Sequence, residues 1–137
     1  MTLKKIIATI VVPNREGGVL VPVAFVATLR VARPVHVASI DPRYRTVGLA
    51  YDVAARIRIV FPDGSPVSGA TVKVRLTHPD GTTETLTGLT GEQGAVVVAR
   101  RVSDSGTYWF TVLGVSRPRA VYDPAHNVET SDSVTIP

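Results

Sequence analysis

Three observations predict an all-β fold of sandwich type for this chain. Glycine and proline, 11 and 10 of 137 residues, are spread along it so that no long helix-compatible window is free of breakers. Turn signals recur about every 8 to 12 residues, as in Pro62-Asp63-Gly64-Ser65-Pro66, His78-Pro79-Asp80-Gly81 and Gly91-Glu92-Gln93-Gly94. Between the turns, apolar and polar residues alternate with the two-residue period of half-buried strands. The length suits one domain with its own core plus an extension, and is short for two domains.

The N-terminal 33 residues are the unusual part. Lys4 and Lys5 precede Ile6-Ile7-Ala8-Thr9-Ile10-Val11-Val12, and after the turn Pro13-Asn14-Arg15-Glu16-Gly17-Gly18 comes Val19 to Leu29. Both runs are apolar on both parities, so two strands of this kind do not fit the outside of a small monomer. Three readings stand open for them. One is a leader or anchor, although neither run reaches the roughly 18 to 20 residues that span a bilayer and the first stops after about seven. Another is a pair of strands completing the domain's own sheets. The third is an assembly element pairing or packing against another copy, with Ile6, Ile10, Val12, Val21, Val23 and Phe25 as its contact residues. Pro22 fits an edge or bulged position in the second strand.

From Arg33-Pro34 onward the punctuation is regular. Val35 to Asp41 opens the second segment, residues 34–137. Val53, Ala55, Ile57, Ile59 and Phe61 share one parity while Asp52, Arg56 and Arg58 share the other, which predicts a strand with one face in the core. Val72, Val74 and Leu76 alternate likewise with Thr71, Lys73, Arg75 and Thr77. An Asp-Gly hairpin turn at Asp80-Gly81 leads to Thr82 to Leu86, and the turn at 91–94 leads to Ala95 to Arg100.

Asp104-Ser105-Gly106-Thr107-Tyr108-Trp109-Phe110 is a tight corner followed by an aromatic strand. Asp104, Gly106 and Tyr108 resemble the tyrosine corner of immunoglobulin-like domains, where a Tyr at the start of strand F sends its hydroxyl back to the backbone. That resemblance makes the predicted fold an immunoglobulin-like Greek-key β-sandwich carrying an N-terminal two-strand extension. Three further pieces extend it: Val35-His36-Val37-Ala38-Ser39-Ile40-Asp41, then Gly64-Ser65-Pro66-Val67-Ser68-Gly69-Ala70-Thr71-Val72, then Phe110-Thr111-Val112 with Tyr122-Asp123-Pro124-Ala125 and Asn127. In this order they resemble the immunoglobulin-like accessory domains found at the C-termini of secreted bacterial and archaeal hydrolases, over roughly residues 35–137. The resemblance implies a non-catalytic module outside the cell, with carbohydrate as the partner suggested at family level. This chain departs from the family at Gly88 and Val96, where the family commonly carries a cysteine pair, and its residues 1–33 read as two apolar strands rather than as part of a catalytic domain.

Signals for chemistry are sparse. With no cysteine there is no disulfide, thiolate metal site or cysteine nucleophile. No Gly-x-Ser-x-Gly elbow or phosphate loop occurs, and His36, His78 and His126 lack ligand spacing, so the expectation is no enzyme and no cofactor. Asp123, Asn127, Glu129 and Asp132 are the nearest approach to an oxygen-rich cation site, against a solvated loop as the plainer reading. The net charge is +4, and arginine greatly outnumbers lysine, which stands only at Lys4, Lys5 and Lys73. That bias is shared with thermophilic or GC-rich sources. No aromatic platform is interleaved with the arginines as a single-stranded nucleic acid would need, so no specific nucleic-acid partner and no membrane span are expected.

The sequence therefore predicts a structural module that self-associates as a homo-oligomer, or joins other structural proteins of one assembly, through its N-terminal strands. A virion decoration or tail component, or a cell-surface filament subunit, is the expected setting, and localisation is extracellular, cell-surface or virion. The alternative is a carbohydrate- or surface-binding accessory module, for which Trp109, Tyr44, Tyr51 and Tyr122 are the available aromatics.

Overall fold

In a computed structural model, the backbone is described for residues 2–13 and 20–137 and the side chains from Val31 onward. The chain divides into two units, Met1–Arg33 and Pro34–Pro137. In the first, β1 (Thr2–Pro13) and β2 (Leu20–Val31) form an antiparallel two-stranded sheet, twelve residues to a strand. The register sets Ile10 opposite Val23, Val12 opposite Val21 and Ala8 opposite Phe25. What the side chains of Ile6, Ile10, Val12, Val21, Val23 and Phe25 touch lies outside the described residues.

The second unit is all β apart from one 3-10 turn. Its strands are β3 (Arg33–Val47), β4 (Ala50–Val60), β5 (Thr71–Thr77), β6 (Thr83–Leu89), β7 (Ala95–Val102), β8 (Gly106–Ser116), β9 (Ala120–Tyr122) and β10 (Ser131–Ile136). They form two four-stranded sheets, in the orders β7-β4-β3-β9 and β10-β8-β5-β6. Alternation decides which residues fill the space between them. Val53, Ala55, Ile57 and Ile59 of β4, Val72, Val74 and Leu76 of β5, and Tyr108, Phe110 and Val112 of β8 are all buried in one cluster. Val35 and Val37 of β3 and Val96 and Val98 of β7 complete it from the first sheet, and Ile136 of β10 from the second.

One stretch runs longer than its hydrophobic pattern indicates. β3 begins at Arg33, passes Pro34 and Pro42, and continues to Val47 before turning into β4. Its last part is an exposed hairpin arm, so burial imposes no apolar alternation there. Tyr44 and Tyr51 close over each other edge to face, ring centroids 6.3 Å apart, and Leu49 sits fully exposed at the tip.

Candidate functional site

Gly106 starts β8 at φ +125°, with Pro79 ring carbons 2.7 and 2.8 Å from where a Cβ would stand, so a side chain has no room at this corner. The strand then drives Tyr108 into the core, where its hydroxyl donates to the carbonyl oxygen of Asp104 at 2.7 Å. Burial raises the Tyr108 phenol above its ordinary pKa, with the charges of Asp104 and Asp80 adding to the effect. Because neighbours alternate, Trp109 is turned to the opposite face and is 47% exposed.

That outer face of the β10-β8-β5-β6 sheet is organised in rows. Thr83, Thr77, Trp109 and Ser133 stand side by side across the four strands, and the next row is Thr85, Arg75, Thr111 and Ser131. Beyond it Thr87, Lys73 and Gly114 form a third row, beside a bulge in β8 that places Leu113 outward and 43% exposed. On the other side of Trp109, Thr107 faces Thr135. Two hydroxyl pairs bracket the indole: Thr107 with Thr135 at 2.9 Å and Thr111 with Ser131 at 2.8 Å. None of these positions carries a carboxylate, and neither Lys73 nor Arg75 has an ion-pair partner among the described residues. The motifs Thr83-x-Thr85-x-Thr87 and Ser131-x-Ser133-x-Thr135 are the sequence signal for this face, a two-residue hydroxyl period that hydrophobic pattern reading passes over.

The other aromatics serve elsewhere. Tyr122 is half-buried and its hydroxyl accepts from Asn127 Nδ2 at 2.6 Å. Asn127 also donates to Thr130 Oγ1 at 3.0 Å and accepts the Val37 N–H at 2.8 Å, while a Glu129 carboxylate oxygen accepts the Ile40 N–H. Asp123 receives His126 Nδ1 at 2.5 Å, and Asp132 receives the Ser133 N–H at 2.7 Å. The four oxygen-bearing residues are thus not gathered around a common point. Asn127 and Glu129 fasten the closing segment to β3, supplying acceptors for the Val37 and Ile40 N–H groups on the edge of β3 that faces away from β4. Among the described residues no three His, Asp or Glu side chains converge on a metal position.

His78 lies against Tyr108 with centroids 5.4 Å apart and holds Glu84 at 2.7 Å, and Glu84 also receives Arg100. The His78 hydrogen bond, then Arg100, keeps the Glu84 carboxyl below its ordinary pKa. His36 and His126 line a separate hollow of about 340 Å³ with Pro34, Pro62 and Asp123. On the outer face of the first sheet, Arg101 and Arg45 both bind Asp52 and hold its carboxyl low, Arg101 contributing most, and Arg43 binds Asp41. Here cations and carboxylates alternate across neighbouring strands, in contrast to the carboxylate-free face around Trp109. Comparison with family models, with curated proteins and with solved structures finds no match to this chain.

Proposed function

We propose that this protein is a non-catalytic structural module, an immunoglobulin-like Greek-key sandwich that self-associates through its N-terminal hairpin. The observation carrying the proposal is the β1-β2 sheet. Its strands are each about 40 Å long at 3.4 Å per residue, and they pair with each other but with no other described strand. A two-stranded sheet is marginal in water by itself, so its β-branched faces and open edges call for a partner surface. A second copy of the chain offers the same surface and edge. Self-association of this kind suits a repeating particle or filament, such as a virion decoration or tail component or a cell-surface filament subunit.

Light scattering on the full chain and on a version starting at Pro34 tests the proposal. Defined oligomers or filaments from the full chain, with a folded monomer from the shorter one, are expected. A monomeric full chain together with unfolding of the shorter version would make the hairpin part of the sandwich core and end the assembly reading.

For the fold, three features support the immunoglobulin-like topology. Reading β3, β4, β5, β6, β7, β8 and β10 as strands A, B, C, C′, E, F and G gives sheets E-B-A, with the short β9 added beside A, and G-F-C-C′. Tyr108 makes the backward hydrogen bond of a tyrosine corner. The third feature concerns Gly88 and Val96, the positions of the cysteine pair in the accessory domains that this chain resembles. A Cβ built on Gly88 stands 3.8 Å from the Val96 Cβ, the mean separation in disulfides. Replacing both, Gly88→Cys with Val96→Cys, is expected to give a spontaneously oxidised bridge between β6 and β7. Closing so short a loop adds about 2 to 3 kcal/mol of stability. Thiol titration and urea unfolding with and without reductant measure it. Gly88→Cys alone is expected to destabilise, because its Cβ falls 2.4 Å from a Val96 methyl.

A further inference from the structure

We infer that the outer face of the β10-β8-β5-β6 sheet is a binding surface for an acidic polysaccharide chain, with Trp109 as its stacking platform and Arg75 and Lys73 as its charge partners. Trp109 is the only tryptophan of the chain, and its indole is half exposed in the middle of a four-strand face. The face is about 14 Å wide at the usual strand spacing, broad and without a cleft of its own, which suits an extended chain better than a small molecule. A sugar ring has two chemically different surfaces. Its C–H face packs on an indole, and its rim of hydroxyls and ring oxygen needs hydrogen-bond partners that both donate and accept.

The surroundings of Trp109 match that division. Thr77 and Ser133 flank it directly, and Thr83, Thr85, Thr107, Thr111, Ser131 and Thr135 continue outward. Every one of these side chains is a hydroxyl, donor and acceptor at once. Charge decides the class of glycan. Arg75 stands in the row next to Trp109 and Lys73 in the row after it, both exposed. With no carboxylate on the face and no ion-pair partner for either cation among the described residues, an anionic chain meets charge that the protein itself leaves unused. A nucleic acid would ask for more phosphate partners than two cations supply.

Since the single tryptophan is the proposed platform, its emission is the reporter. Titration of the full chain with polygalacturonate is expected to shift Trp109 emission to the blue and to saturate, whereas dextran and poly-L-glutamate leave it unchanged. In affinity electrophoresis through gels containing polygalacturonate, Trp109→Ala and the pair Lys73→Glu with Arg75→Glu are each expected to lose at least about tenfold of the retardation constant. Equal binding of poly-L-glutamate would reduce the face to charge alone and overturn the proposal, and so would equal binding of dextran, unaltered retardation of Trp109→Ala, or no response to polygalacturonate. All the substituted side chains are exposed, and an unchanged urea midpoint verifies that the variants fold. Trp109→Ala leaves the hairpin intact, so its mass in solution reports on the assembly proposal separately from glycan binding.

Discussion

Gly94→Ala is expected to lower stability by about 3 to 5 kcal/mol, through a strained backbone, a steric clash and disrupted hydrogen bonds. Gly94 closes the turn before β7 at φ +72°, where an L side chain costs about 1 to 2 kcal/mol. The position is also enclosed by backbone. A Cβ there would lie 2.5 Å from the Ile59 carbonyl oxygen, 2.9 Å from the Val67 nitrogen and 3.1 Å from the Pro66 Cα. None of these atoms swings aside as a side-chain end does. Ile59 N–H donates to Gly94 O at 2.8 Å and Val67 N–H to Ile59 O at 3.0 Å, so making room disrupts the junction that joins β4 to two turns. Urea unfolding measures the loss as a lower midpoint. Gly64→Ala is the control, because its φ is +85° with nothing within 4 Å of the added Cβ, and only the conformational part of the loss is expected. Similar losses at both positions would contradict the close approach at Gly94.

Thr90→Val is expected to cost about 2 to 4 kcal/mol although it preserves shape. Thr90 is the one buried polar residue among those described, 3% exposed. Its hydroxyl donates to the Val67 carbonyl at 2.7 Å and accepts the Ala70 N–H at 2.9 Å. Its main chain also donates to Ala70 O and accepts the Gly69 N–H, both at 2.9 Å. The side chain therefore acts as the crosspiece that ties the loop before β5 to the end of β6. Valine fills the same volume and removes both side-chain bonds, leaving a buried donor and acceptor without that partner. Thr90→Ser keeps the hydroxyl and is expected to cost about 1 kcal/mol for the lost methyl. Amide hydrogen exchange supplies a local readout: the Ala70 amide loses protection in the valine variant and keeps it in the serine variant. A valine variant as stable as the parent chain would refute the crosspiece.

These two residues differ in how they could be read. Gly94 follows Gly91-Glu92-Gln93 and announces a turn, but which backbone it approaches depends on Ile59 and Val67, more than twenty residues earlier. Thr90 gives no local signal at all, since its partners are set by the meeting of two loops. Asn127 and Glu129 show the same limit from the other side. The oxygens that would serve a cation also serve a strand edge, and their true partners, Val37 and Ile40, lie about ninety positions away in the chain.

Periodicity determined, from residues alone, that the second segment is all β, that 53–61 and 71–77 each turn one face inward, and that Trp109 faces away from Tyr108 and Phe110. These follow from the two-residue pleat, which acts between neighbours in sequence and needs no knowledge of the fold. Tertiary structure alone decided which strands became neighbours, and so which side chains stand beside Trp109 and which groups Asn127, Glu129 and Thr90 satisfy. A hydrogen bond is settled by distances of about 3 Å between residues far apart in the chain, and no local pattern encodes that distance.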